Sequence, residues 1–228
     1  IGALTTVEDL SRSAVLGFEY EAFRKLSFIF GSPPVRNLAT VGGNLVAASS
    51  SEDLIPIFLA LDAEVRLRSL TSERLLPISK FMVGKRETAR MSNEIVSEVV
   101  FKEIGPRSWC TFEKIGRRER LIIALVSLAC LLRLDPRLER IEEARIALNR
   151  VRGKIPERAR KTEAILENRV PDETLLRDAA ASLQSELMLT SDFRASAAYR
   201  VKVATNFFRR SLVHCKHCIE NQEVKSSG

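Results

Sequence analysis

A chain of 228 residues is long enough for one large domain or two small ones, each with its own core. Its 45% apolar and 29% charged residues exclude a disordered chain, and no run reaches the ~18 apolar residues of a membrane span. The net charge of +7 is unevenly placed: residues 1–103 hold 12 Lys+Arg against 13 Asp+Glu, whereas residues 104–228 hold 24 against 16, which points to two modules with different surfaces.

In chain order, Ile1 to Thr6 reads as a short strand and Thr6 as the N-cap of a helix beginning Val7-Glu8-Asp9-Leu10. The chain starts at Ile1 without a basic segment ahead of an apolar run, so a processed product or fragment is expected rather than a secretory precursor. A second helix is predicted over about Phe18 to Phe30, with Phe23, Leu26 and Phe30 on one face, stopped by Gly31-Ser32-Pro33-Pro34. Val35 to Val46 reads as extended, broken by Gly42-Gly43. A helix from about Ser51 to Leu61 follows, then a strand at Ala63–Arg68, a helical turn at Ile78–Phe81 and a strand at Glu94–Lys102.

Ile104-Gly105-Pro106-Arg107 marks the expected boundary between domains 1–103 and 104–220, with 221–228 as a polar, frayed tail. Trp109–Ile115 alternates as a strand. Leu121 to Asp135 reads as a buried strand, since Leu121–Leu132 is apolar except for Ser127. Ile141–Val151 leans to strand through Ala144, Ile146 and Leu148. Three helices are predicted to close the chain, near Arg158–Asn168, Asp172–Leu187 and Asp192–Cys215, the last two with Asp caps.

Few residues offer chemistry. Gly42-Gly43 lets a ligand approach the main chain and lets amides turn towards an anion, with Thr40 and Asn44 beside it; a tight turn or bulge explains the pair equally well. Asp53 is either a first-turn acid or an acceptor for a cofactor hydroxyl. No P-loop or G-x-G-x-x-G pattern occurs. Cys110 and Cys130 read as small core residues, and the cysteine content suits a reducing cytoplasm. His214-Cys215-Lys216-His217-Cys218 lacks the second ligand pair of a zinc site, so its thiols are read as solvent-side and no metal is expected. Lys114 to Arg120 and Arg200, Lys202, Arg209 and Arg210 form basic clusters, read as a solvated face or a surface for an acidic partner. With only His214 and His217, a histidine-based triad has no support, and any chemistry belongs to a bound cofactor.

The order of motifs resembles the FAD-binding medium subunit of molybdenum hydroxylases, as found in carbon monoxide dehydrogenases and xanthine dehydrogenases. Arg36 to Asn44 is similar to the family's R-N-x-A-T-(I/V)-G-G-N signature, and Asp53-Leu54-Ile55-Pro56 with Leu59 to Val65 is similar to D-x-x-P followed by L-A-L-x-A-x-V. Phe112 to Arg118 and Ala124 to Ala129 resemble the start of the family's C-terminal flavoprotein domain, and Asp192 to Arg200 with Arg209 to Leu212 its ending.

The resemblance implies an α+β fold: a PCMH-type FAD-binding subdomain, then a domain with a three-stranded antiparallel sheet and a helical bundle. It implies an oxidoreductase subunit that passes electrons through FAD to an external acceptor. The partners implied are a small subunit with 2Fe-2S clusters and a large subunit with the molybdenum cofactor, without nucleic acid. It implies that Thr40, Val41, Gly42, Gly43 and Asn44 hold the FAD diphosphate, that Asp53 meets the ribityl or ribose side, and that Phe30, Ile95 and Lys114 complete the flavin contacts.

Departures exist. Ser50 stands where members often carry Pro, Ala47 where Thr or Asn is common, and Ala195 where the closing motif has Gly. The family's front subdomain with its A-G-G-(T/H)-(D/S) loop has no counterpart in this sequence, so weak or absent FAD binding by this chain alone is expected. A flavin-less relic or interaction module is therefore the alternative reading. A nucleic-acid binder is a third, which would show steep salt dependence.

Overall fold

The computed structural model describes residues 1–116, 123–149 and 155–226. Thr6 caps α1 (Val7–Arg12) as predicted: its hydroxyl accepts from the Asp9 amide while Asp9 accepts from the Thr6 amide, a complete capping box. A 3-10 turn at Phe18–Tyr20 leads into α2 (Glu21–Ile29), which buries Ala22, Phe23 and Leu26 before Gly31 turns the chain at a φ of 48°.

Residues 35–46, expected to be extended, are helical instead except at Ala39 and Thr40, which stay extended between two helices. α3 (Pro33–Leu38) has both prolines in its first turn, where a missing amide costs nothing. α4 (Val41–Ala47) begins at Thr40, whose hydroxyl accepts from the Gly43 amide. Each helix has its own local start, the proline pair for α3 and the Thr40 cap for α4. The opening residues differ from prediction too. Ile1 to Ala3 lie antiparallel to β5 (Ile95–Val100), with Val99 N–H donating to the Ile1 carbonyl and Ala3 N–H to the Ser97 carbonyl. The chain then turns as Thr5 N–H bonds the Gly2 carbonyl, so no full strand forms.

Every residue of α5 (Leu54–Ala60) is buried. β1 (Glu64–Arg68) is central in an antiparallel sheet of order β2-β1-β5, where β2 (Glu73–Pro77) is a strand the alternation did not reveal because its flanks are polar. The helical turn α6 (Ile78–Phe81) follows, then a hairpin of β3 (Met82–Gly84) and β4 (Glu87–Thr88).

The second sheet joins β6 (Ser108–Ile115), β7 (Val126–Leu134), β8 (Ile141–Leu148) and β9 (Glu157–Arg158), all antiparallel in that order. The expected three-stranded sheet is present, with a two-residue fourth strand at its edge. β7 is apolar on both faces because both are covered. Leu128, Cys130 and Leu132 face one core with α7 (Arg160–Leu166), α8 (Glu173–Glu186) and α9 (Ala197–Ser226). Ala129 and Leu131 join Cys110 and Phe112 in the other core, with Phe23 of α2 and Phe58 of α5. The near face of this sheet thus lies directly against the helices of the first half.

Asp172 caps α8, accepting from the Leu175 amide at 2.7 Å. Asp192 does not cap α9, which begins five residues later; it binds Arg194 and Arg200 instead. The tail expected to fray from Glu220 stays helical to Ser226. Arg200, assigned from sequence to a basic surface, is 1% exposed. Cys215, read as solvent-side, is fully buried in the second core, while Cys218, one turn further along the same side of α9, is half-buried. Cys110 and Cys130 are core residues, as expected. Arg117, Arg118, Glu119, Arg120, Leu121, Val151 and Gly228 lie outside the described residues. Among the described residues no helix is long and apolar enough to cross a membrane, and no group of three His, Cys, Asp or Glu could hold a metal ion.

Candidate functional site

The predicted site residues gather at the two ends of α4, a helix of seven residues and therefore about 10 Å long. At its start, Thr40, Gly42, Gly43 and Val46 line a cavity of about 280 Å³ together with Ala3, Leu4, Arg90, Glu94, Ile95 and Val96. Ile95, assigned only by its distance along the chain, lines the same cavity as the glycine pair, and its side chain is exposed. Opposite, Arg74 grips Glu94 with two bonds of 2.7 and 2.9 Å and holds its carboxyl at about 2.

The glycine pair works through close approach rather than through free amides. Val41 N–H donates to Thr5, Gly42 N–H to Ala3, Gly43 N–H to the Thr40 hydroxyl and Asn44 N–H to the Thr40 carbonyl. Val41 is fully buried and does not line the cavity. A Cβ on Gly42 would stand 2.8 Å from the Ala3 Cβ and 3.0 Å from the Ala3 carbonyl oxygen, whereas one on Gly43 would meet only the Thr40 hydroxyl at 3.0 Å. Gly42→Ala is therefore expected to destabilise by about 1–3 kcal/mol, and Gly43→Ala by less, because a hydroxyl can rotate and a backbone cannot. Thermal melts of the two variants test this ordering.

Beyond the end of α4, the turn at 49–53 forms the wall of a second cavity of about 340 Å³, lined by Phe30, Gly31, Ser49, Ser51, Glu52, Asp53, Lys114 and Ile123. Asp53 precedes α5 but makes no cap; its Oδ2 lies 2.5 Å from Lys114 Nζ of β6. Both side chains are nearly inaccessible. Asp53 Oδ1 is buried with no hydrogen-bond partner among the described residues. Burial pushes the Asp53 carboxyl up to about 6, against the pull of Lys114. Lys114 also reaches the Ile29 carbonyl at 3.4 Å, next to Phe30.

Asn44 joins the two ends of the site. Its amide Nδ2 donates to Glu52 Oε2, and its Oδ1 accepts from Leu54 N–H at 3.3 Å. It is largely buried, so its side chain fixes the turn. Two participants escape sequence reasoning. Asn149, at the end of β8, donates through Nδ2 to the Glu52 carbonyl at 3.0 Å and to Ser127 Oγ at 2.7 Å. Glu52 carries the second carboxyl of the turn. A lone Asn after an apolar strand, 97 residues from its partner, gives no local signal. The second sheet thus grips the turn at two points, Lys114 on Asp53 and Asn149 on Glu52.

Cavities at both ends of one short helix suit an elongated ligand. The glycine end admits it close to the backbone, and the far end offers an unmatched acceptor at Asp53 Oδ1 and an aromatic side chain at Phe30.

Residues 1–101 match the FAD binding domain in molybdopterin dehydrogenase, and residues 111–214 the CO dehydrogenase flavoprotein C-terminal domain. The nicotinate dehydrogenase FAD-subunit of Eubacterium barkeri is 31% identical over 59% of this chain and 47% of its own length. Subunit alpha of the 6-hydroxypseudooxynicotine dehydrogenase complex of Paenarthrobacter nicotinovorans is 27% identical over 95% of this chain and 72% of its own. The chain thus spans about half of the first relative and nearly three quarters of the second. In structure, a chain of reconstituted CO dehydrogenase from Oligotropha carboxidovorans superposes with a TM-score of 0.87 at 24% identity, over 95% of this chain and 74% of that one, which establishes the fold.

Proposed function

From a chain that joins an FAD binding domain of the molybdopterin dehydrogenase family to a CO dehydrogenase flavoprotein C-terminal domain, we propose a flavin-holding electron-transfer subunit of a molybdenum-containing hydroxylase. Its partners in this reading are an iron–sulfur subunit and a molybdenum subunit, and the two matched regions serve as its domains, divided near residue 104. When bound, FAD supplies the redox chemistry, taking electrons at its isoalloxazine ring and giving them to an external acceptor.

The residues present fit the group. The observation that carries the reading is the buried, unpartnered Asp53 Oδ1 in the wall of a cavity, held in place by Lys114 from the other half of the chain. A buried carboxylate oxygen without a donor costs stability unless a ligand hydroxyl or similar donor satisfies it. Asp53 would hold such a hydroxyl, Thr40 would donate its own hydroxyl proton to a phosphate oxygen, and Gly42 and Gly43 would let the ligand lie against the helix. Phe30 and Ile95 would cover apolar ring surface. Asn44 acts through the turn it fixes. Lys114 neutralises Asp53 and orients it.

Titration with FAD, followed by flavin fluorescence and thermal stability together, tests the proposal, since a ligand that binds only the folded chain raises its stability as occupancy grows. Asp53→Ala is expected to weaken binding by about tenfold or more, the worth of one buried hydrogen bond to a charged group. Asn44→Ala is expected to weaken it as well, by loosening the turn. Binding untouched by both variants would place the flavin elsewhere.

A further inference from the structure

The turn at 49–53 holds two carboxyl groups side by side, and among the described residues a single ammonium group faces them. Asp53 has Lys114 at 2.5 Å, while among the described residues the Glu52 carboxyl bonds the neutral carboxamide of Asn44. Both acids line the same cavity of about 340 Å³. With both ionised, the described residues of its wall carry two negative charges and one positive.

We infer that Glu52 is a positioning residue that links ligand entry to proton uptake: when it is protonated, the cavity accepts a negatively charged dinucleotide, and when it is ionised it repels one. This rests on the flavin reading above. The groups facing Glu52 are Asp53 on its own turn, Asn44 from α4, Lys114 from β6 and Asn149 beyond β8, the last on its carbonyl. Because Asn44 Nδ2 donates to Oε2, a proton on Glu52 is carried at Oε1.

Burial, reinforced by the Asp53 charge and opposed by Lys114, pushes the Glu52 carboxyl up to about 7. The sign follows from that direction. A carboxyl raised in the folded state favours folding below its ordinary value, and that contribution is lost as pH rises through about 7. Anion binding follows the same window.

The test titrates FAD into the wild-type chain and Glu52→Gln between about pH 7 and about pH 8.5, above the range in which Asp53 titrates, with ligand-free thermal melts in parallel. Gln keeps the shape and still accepts from Asn44, so a merely structural role would leave the pH profile unmoved. The wild-type Kd is expected to rise with pH, approaching about tenfold per unit above neutrality, as one linked proton requires. The variant's Kd is expected to change by about twofold at most, and its Tm to lose the decline that the wild type shows through neutrality. Binding with one shared pH slope overturns the inference and leaves the flavin reading standing. Identical Tm profiles also overturn it, because Glu52 then does not titrate in this window. Failure of both chains to bind FAD at any pH overturns the flavin reading and, with it, the ligand named here.

Discussion

Lys114→Met is expected to lower the unfolding free energy by about 3–5 kcal/mol near pH 8 and to abolish FAD binding. The magnitude follows from burial. The Lys114 side chain is 3% exposed and that of Asp53 5%, and one oxygen of Asp53 already lacks a partner. Removing the ammonium leaves a carboxylate with neither water nor a counter-charge, and Met fills the lysine's space without replacing its charge. The deficit depends on pH with a definite sign. Burial holds Asp53 at about 6 even with Lys114 beside it, so losing that attraction raises it further. At about pH 5 the folded variant carries a neutral Asp53, and the deficit shrinks; it grows as pH rises and the carboxyl must ionise. Urea denaturation at the two pH values measures both parts. The double variant Lys114→Met with Asp53→Leu is expected to recover most of the stability, since an apolar pair of similar volume replaces a buried ion pair at little cost. It is not expected to recover flavin binding. A double variant that binds FAD like the wild type would reduce the pair to a structural role.

The contrast between Lys114 and Asn149 shows what a sequence discloses about such a site. Lys114 belongs to a motif that resembles a known domain, so the sequence singles it out although its partner lies 61 residues away. Asn149 makes a contact across 97 residues with no motif around it, and only the folded chain brings it to the Glu52 carbonyl. Local signals read the elements well where one interaction decides them: the Thr6 capping box, the Asp172 cap and the doubly buried β7. They failed where two local preferences competed. Residues 35–46 read as an extended segment broken by Gly42-Gly43, but Pro33-Pro34 and Thr40 each start a helix, and Gly42 fits there because Ala3 passes within a Cβ's reach. The acid at Asp192 looked like a cap and is a tertiary ligand instead. Arg200 looked like surface charge because charge alone says nothing of burial.

Arg200→Leu is expected to cost about 2–4 kcal/mol, the sum of an orphaned carbonyl and a broken, partly buried charge pair. Arg200 is 1% exposed and among the largest fully buried side chains described. Its Nη1 donates to the Leu125 carbonyl at 2.7 Å and its Nη2 to Asp192 Oδ1 at 2.5 Å. Leu125 N–H in turn donates to the Ile115 carbonyl at 2.8 Å, next to Lys114. One guanidinium thus ties α9 to the start of β7 and, through it, to the strand that carries the ammonium of the candidate site. Burial works against ionisation of Asp192, but the Arg194 amide and guanidinium, the Arg200 charge and the Ala195 amide outweigh it and hold the carboxyl well below the usual range. A depressed carboxyl stabilises the fold above its ordinary value, and that contribution disappears as pH falls below it. The wild type should therefore lose more stability than the variant between about pH 5 and about pH 2, so the gap between them narrows in acid. Arg200→Lys keeps the charge but not the fork, and should recover only part of the loss, since one ammonium cannot serve Leu125 and Asp192 with the same geometry. FAD affinity should fall less in Arg200→Leu than in Lys114→Met, because Arg200 reaches the site only through Leu125 and Ile115. Equal losses of affinity in the two variants would mean that the second sheet is held together by Arg200 alone, and that Lys114 acts by stabilising the fold rather than by orienting Asp53.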